Sequence, residues 1–401
     1  MSNPIIVNSV NKANLSFDDT AIAFKHQNNK DLKQSFWLFK LISNNLLVKI
    51  GPFFTKAALA IKLPISGLIK ATIFKQFCGG ETIAECTQTI KKLADAGVGT
   101  ILDYSVEGED EELVFDLTAQ EIINTIKKAV EMPTAIPFCV FKVTGIARFG
   151  LLQKINAKEE LKDYEKLEWE KALSRVENIC KTAYDAQKHL MIDAEESWIQ
   201  EVIDDLALQM MRKFNKEKAI IFNTYQLYRH DKLADLISDT TLAQVEGFLL
   251  GAKLVRGAYM EKERRRAEEM GYSSPIQPDK ASTDRDYDLA VAFCVDHLNQ
   301  ISFVAGTHNQ HSCLLLTEKM EQQQIPHHQS QVYFSQLLGM SDNLSFNLSN
   351  AGYNVAKYVP YGPVKAVLPY LFRRAEENTA IAGQMGRELS LIAKEMKRRG
   401  L

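Results

Sequence analysis

From about residue 97 onward the chain repeats one unit: a short β-branched or apolar run, then a longer interval with apolar residues at helical spacing. The runs are GTILDYSV (99–106), PFCVFKVTG (137–145), HLMIDAE (189–195), KAIIFNTYQ (218–226), FLLGAKLVRGAY (248–259), ISFVAGTHN (301–309), QVYFSQLLG (331–339) and VAKYVPYG (355–362). Near-continuous apolar strands are buried on both faces, which is the condition of a parallel sheet covered by helices. Eight such units predict an α/β fold, a distorted (β/α)8, TIM-like barrel. A doubly wound open sheet competes, but no G-x-G-x-x-G opens a helix after a strand, since GVGTIL at 97–102 runs into a strand. The absence of G-x-x-x-x-G-K-[ST] argues against a P-loop nucleotide site. Residues 1–96 carry helical patterns and few strand signals, which predicts a helical arm ahead of a barrel spanning 97–401.

The 401 residues are 46% apolar and 24% charged, enough for a substantial core. A formal net charge of −2 supplies no basic field for nucleic acid. Six cysteines without a C-x-x-C pair suggest neither a zinc ribbon nor a disulfide framework and fit a reducing compartment. The N-terminus has no signal-peptide pattern, and Asp18 and Asp19 with no early arginine argue against a transit peptide, so a cytoplasmic location is expected. Residues 46–74 come nearest to a membrane segment. Lys49, Lys56, Lys62 and Lys70, with Pro52 and Pro64, interrupt every apolar window of about 18 residues. That leaves two readings: a helix packed on its own domain, or a basic amphipathic stretch resting on a membrane surface.

Barrel active sites lie at the C-terminal strand ends, so the polar residues closing each run are the candidates. They are Lys142, Asp193 with Glu195, Asn223 with Tyr225, Lys253 with Arg256 and Tyr259, Thr307 with His308, and Tyr358. Charge there is costly unless paired or facing a ligand, and the ring points to an anionic or zwitterionic ligand. His308 and His311 lack a third nearby ligand at metal spacing, so no metal is expected. EKERRRAEEM (261–270) mixes both signs at helical spacing and reads as a solvated helix face. In YLFRRAEEN (370–378), Tyr370, Arg373, Arg374 and Glu377 share one broad helical stripe, which would aim two guanidiniums at a planar carboxylate. Pro369 should break a longer helix, placing the start of the ordered helix near 366–369. From these residues alone, a lyase with Lys142 as a Schiff-base nucleophile and a non-catalytic docking protein remain open.

GAKLVRGAY (251–259), THN (307–309), QLLGM (336–340) and KYVPYGPVKAVLPYLFRRAEEN (357–378) resemble the proline dehydrogenases, FAD-dependent enzymes of proline catabolism. The resemblance runs from about residue 70 to 380 and is nearer to the monofunctional, mitochondrial-type branch. It implies a last helix over the barrel mouth, with FAD bound there without a Rossmann domain. It further implies that Arg373 and Arg374 clamp the proline carboxylate, Lys142 adds a third cation, Glu377 pairs with an arginine, and Asp193 organises the polar floor. Tyr259, Leu337, Tyr358 and Tyr370 would wall the pyrrolidine ring.

For the cofactor, the resemblance places Lys253 and Asn223 near the flavin, Arg256, His308 and Lys280 at the pyrophosphate, and Val255, Gly257 and Thr307 along the channel. The implied reaction is oxidation of L-proline to Δ1-pyrroline-5-carboxylate by hydride transfer to flavin, with electrons passed to a membrane quinone and the product taken by a separate pyrroline-5-carboxylate dehydrogenase. A chain of this length leaves no room for a fused aldehyde dehydrogenase domain. Hydroxyproline dehydrogenase of the same family is the alternative, and the bulk of Tyr358 favours proline. A quinone acceptor would keep the enzyme peripheral on an inner membrane.

Overall fold

All eight expected runs form strands: β1 (Gly99–Tyr104), β2 (Phe138–Phe141), β3 (His189–Ile192), β4 (Ile221–Gln226), β5 (Leu250–Val255), β6 (Ile301–Gly306), β7 (Val332–Leu337) and β8 (Val355–Tyr361). The computed structural model describes residues 15–43, 66–106, 110–380 and 382–401, and the side chains of 376–385 fall outside that description. Each strand pairs in parallel with the next, and β8 returns to β1 with Ile101 opposite Tyr358, so the barrel is closed. Closure satisfies every strand on both sides and leaves no edge.

Alternation along the strands builds two separate cores. Ile101, Phe138, Val140, Met191, Phe222, Val304 and Ala356 point inward and fill the barrel. Their sequence neighbours Leu102, Cys139, Leu190, Ile221, Phe303 and Val355 point outward, against helical residues such as Ile126, Ile179, Ile203 and Val291. A third cluster joins distant parts of the chain. Phe24, Leu32 and Phe39 of the arm, with Phe74 and Phe77, pack on Val367, Leu368 and Leu371 of the helix Val364–Ala380 and on Leu391 and Ile392 of the helix Ala382–Arg398.

The segment holding Lys49, Lys56 and Lys62 lies outside the described residues. Lys70, at its far end, is tied to Glu81 at 2.6 Å and Glu85 at 3.1 Å. Among the described residues no helix is long and apolar enough to cross a membrane.

Residues 260–270 form the helix Met260–Met270, but not a wholly solvated one. Glu263 is fully buried and accepts hydrogen bonds from the Ser197 N–H and hydroxyl, both at 2.6 Å. The physical reason is the helix Ser197–Phe214, whose first N–H groups lack intrahelical acceptors and take this one from a neighbour.

Asn215, just past that helix, is fully buried and uses both ends of its amide. Nδ2 donates to Ile221 O at 2.8 Å and Leu249 O at 2.9 Å, while Oδ1 accepts from the Ile220 and Ile221 N–H groups at 2.9 and 2.8 Å. The side chain thereby fixes where β4 and β5 begin. Asn215→Ala strands four backbone groups and is expected to cost about 3 kcal/mol or more, read as a lowered urea midpoint with native far-UV circular dichroism retained.

Candidate active site

The inward column of each strand carries apolar residues at the bottom and polar ones at the top. Following Ile101, Phe138, Met191 and Phe222 by twos leads to Asp103, Lys142, Asp193 and Thr224 with Gln226. Lys253 and Val255 on β5, Leu337 on β7 and Tyr358 on β8 complete the ring, since Lys253 lies level with Thr224 and Leu337 level with Tyr358. Of the residues expected at the mouth, Lys142, Asp193, Lys253, Val255, Leu337 and Tyr358 are brought together in this way.

Asp193 is the node of the ring. One carboxylate oxygen takes the Lys253 ammonium and the other accepts the Tyr358 hydroxyl. Lys253 also sits 5.1 Å from the centre of the Tyr358 ring. The carboxylate therefore orients a cation and a phenol from two different strands. Lys142, with a side chain 13% exposed, lies 3.9 Å from Asp103, whose carboxylate also accepts the Ser105 hydroxyl at 2.7 Å. The sequence reading misses Asp103 as a site residue, although an acid late in an otherwise apolar strand is the signal that finds the others.

Glu195 supports this arrangement from behind. Its carboxylate takes the Thr144 N–H at 3.1 Å and the Thr144 hydroxyl, so it grips the turn Val143–Gly145 directly after Lys142. Gln226 Nε2 donates to its carbonyl oxygen and its own N–H donates to Gln200, each at 2.7 Å. Burial pushes the Glu195 carboxyl up to about 8, against the pull of the Thr144 hydrogen bonds and the Lys142 charge.

Asn223 is not brought to the mouth. It stands on the outer face of β4, donating to Asp204 at 2.8 Å beneath the helix Ser197–Phe214. The reason is the period of two: with Phe222 and Thr224 inward, Asn223 must face outward. Tyr225, of the same parity, donates to Asp239 at 2.7 Å.

A second group forms a shoulder beside the mouth, above β5 and β6. Arg256 donates to Asp284 at 2.7 Å, Thr307 Oγ1 at 2.8 Å and Ser312 Oγ at 2.9 Å, and its guanidinium lies 4.2 Å from the Tyr287 ring centre. Lys280 pairs with the same Asp284. His308 lies against Ser341, with Nδ1 2.9 Å from the hydroxyl. Burial, then the charges of Lys357, Arg374 and Arg256, lowers its imidazole to about 3, so the ring is neutral near pH 7. Gly257 has φ of 132°, and a Cβ there would stand 2.4 Å from the Tyr228 ring, so this turn requires glycine. The shoulder gathers donors and positive charge suited to a phosphate-bearing group.

The helix Val364–Ala380 carries Tyr370, Arg373 and Arg374 and runs through Pro369 rather than starting beside it. Pro369 is the sixth residue of this helix, where its missing N–H forfeits the bond to the Lys365 carbonyl, and burial of Val367, Leu368 and Leu371 around it holds the helix continuous. Arg374 is buried, stacked 5.2 Å from the Tyr370 ring, and its charge reaches His308. Arg373 is half-buried and Tyr370 buried, whereas the Glu377 side chain lies outside the described residues. Tyr259 precedes the helix Met260–Met270 and is half-buried.

The geometry is that of a (β/α)8 barrel enzyme, with buried charge focused at the C-terminal strand ends and a helix bearing two arginines directly after β8. The chain belongs to the proline dehydrogenase family, whose model matches residues 86–387. It is 32% identical to proline dehydrogenase 1, mitochondrial, of Dictyostelium discoideum, covering 95% of this chain and 74% of that protein. It is equally 32% identical to the carbapenem antibiotics biosynthesis protein CarD of Pectobacterium carotovorum, over 89% and 92% of the two chains. The human proline dehydrogenase 1, mitochondrial, is 42% identical over 59% of this chain and 40% of its own. Among solved structures, proline utilization A of Bdellovibrio bacteriovorus, inactivated by N-propargylglycine, superposes with a TM-score of 0.69 at 20% identity and shares the fold. The match covers 90% of this chain but only 38% of that longer protein.

Unfolded, Glu195 ionises near 4.5, while in the barrel it ionises near 8. The unfolded chain thus loses this proton first, and stability falls as pH rises through that window. Glu195→Gln keeps the acceptor for Thr144 N–H but cannot ionise. It is expected to fold and to flatten the decline of Tm between pH 4.5 and about 8 relative to the parent.

Proposed function

We propose that the chain oxidises L-proline to Δ1-pyrroline-5-carboxylate, with FAD as its bound cofactor and a membrane quinone as electron acceptor. The observation that carries this reading is that the family match over residues 86–387 contains the whole ring at the mouth and the arginine pair above it. The residues fit FAD. Arg256, Lys280 and His308, with the Thr307 hydroxyl, are the donors for its diphosphate, and Gln310 Oε1, buried beside them with no hydrogen-bond partner among the described residues, is an acceptor for a hydroxyl of the cofactor. Lys253 and Val255 line the flavin side, with Gly257 at the shoulder turn. When bound, FAD supplies the acceptor for the hydride that leaves proline C5.

The side chains bind, orient and exclude water. Arg373 and Arg374 grip the carboxylate, Lys142 adds charge from the end of β2, and Glu377 steadies an arginine from the next turn. Asp193 fixes Lys253 and Tyr358, and Tyr358 with Tyr259, Leu337 and Tyr370 forms the ring-binding wall. Loss of the C5 hydride and the amine proton leaves the C=N bond of the product. No side chain is assigned as the base: the amine binds deprotonated and its proton goes to solvent. A separate dehydrogenase then consumes the product.

A peripheral site on a membrane fits the quinone. Trp37, Leu41 and Leu68 are 61%, 57% and 67% exposed and flank the segment between residues 43 and 66. Trp37 with Lys40 held 4.9 Å from its ring has the chemistry of a lipid interface. Co-sedimentation with anionic vesicles is expected to drop on replacing Trp37 and Leu41 by serine, and unchanged binding would remove this face from the account.

The test of the reaction is the absorption spectrum of the purified protein before and after anaerobic L-proline. Flavin bands that bleach with proline are expected; bleaching only with hydroxyproline would change the substrate, and a protein that cannot be loaded with FAD would refute the reading. Arg373→Met and Arg374→Met are each expected to cost about 2 to 5 kcal/mol in kcat/KM, as for truncating a buried charge pair.

A further inference from the structure

His308 is held by a residue far along the chain. Its ring nitrogen Nδ1 is fixed by Ser341, while Nε2 faces the Leu337 N–H only at 3.5 Å, the limit of bonding. Ser341 is therefore what sets the ring. Yet Ser341 has φ of 50°, a left-handed conformation that costs a serine about 1 kcal/mol or more and persists only when the surroundings enforce it. The enforcing group is Glu388, whose Oε1 accepts the Ser341 N–H at 2.6 Å.

Glu388 is buried on the helix Ala382–Arg398, and that helix is anchored away from the mouth. Arg399, just beyond its end, donates to the Phe24 and Gln27 carbonyls, each at 2.7 Å, and Lys394 donates to Asp18 O at 2.7 Å. Leu391 and Ile392 pack into the cluster shared with the arm. Beside Ser341, the salt-bridged pair Lys357 and Asp342 at 2.9 Å fixes the start of the following helix, Asp342–Asn350. The turn thus has one support from the barrel and one from the terminal helix. Glu388, Ser341, His308, Gln310 and Arg387 line one small cavity on this shoulder.

We propose that Glu388 is a positioning residue for the cofactor site: by holding Ser341 in its left-handed turn it aims His308 at the cofactor's diphosphate. The proposal rests on the reading above that His308 meets FAD. A carboxyl held up to about 7 by burial and the nearby Asp342 charge still offers a carbonyl oxygen to the Ser341 N–H when protonated. The device therefore needs an acceptor, not a charge.

The test measures the FAD dissociation constant by equilibrium dialysis together with the Tm of the apoprotein. Glu388→Ala is expected to weaken FAD about tenfold, the equivalent of one charge-assisted hydrogen bond. Glu388→Gln, which keeps the acceptor, should restore affinity, and Ser341→Ala, which removes the hydroxyl that faces both His308 and the Glu388 carboxyl, should weaken it as Glu388→Ala does. In a His308→Ala background, Glu388→Ala should add little further loss. A lowered apoprotein Tm with unchanged FAD affinity in both Glu388→Ala and Ser341→Ala would overturn the proposal while leaving His308 in place, as would losses fully additive with His308→Ala. Unchanged affinity in His308→Ala would overturn the reading of His308 and the proposal with it. If Glu388→Ala does not fold, Ser341→Ala decides between the same outcomes: weakened FAD binding supports the proposal and unchanged binding overturns it.

Discussion

The hydrogen-bonded register around the closed barrel determines which side chains can meet. Because β8 pairs with β1 as tightly as any neighbours in between, each strand has one fixed inward column. Asp193, Lys253 and Tyr358 come from three strands far apart in sequence, and only that register brings an acid, a cation and a phenol to one point. Shifting a strand by one residue would replace them with outward neighbours such as Leu254 or Lys357.

The same rule separates what could be read from the chain alone from what could not. The strands were legible because apolar runs bounded by turn residues carry their own signal, and Lys142 and Asp193 because a charge late in such a run is conspicuous. Asn223 shows where that reasoning stops: being late in a strand does not reveal which face a residue takes, and Phe222 decided it. Glu263 illustrates a second limit, since a charge-rich helix gives no hint that one of its acids will serve as the acceptor at another helix's start. Glu388 lay beyond reach for a third reason, because its partner is a backbone N–H 47 residues away.

Two kinds of support therefore meet at the mouth. The inner ring is rigid, resting on strands whose lower halves are packed with phenylalanine and aliphatic side chains. The Ser341 turn of the shoulder and the helix Val364–Ala380 draw in addition on elements outside the barrel: the helix Ala382–Arg398, the arm and the cluster between them. An enzyme that must admit a small zwitterion and then exclude water benefits from that division. The charges of the ring are held by the sheet, while the helix Val364–Ala380 packs on a cluster outside it.

The cluster joining Phe24, Leu32 and Phe39 to Leu391 and Ile392 also bears on how the molecule is assembled. Contacts separated by most of the chain close the longest loop and come late in folding. A nascent polypeptide can build the barrel strand by strand as it emerges, but it cannot seat the arm until the residues near 391 have been synthesised. The arm and the terminal helix are thus the last elements to dock, on a barrel whose strands are already in place.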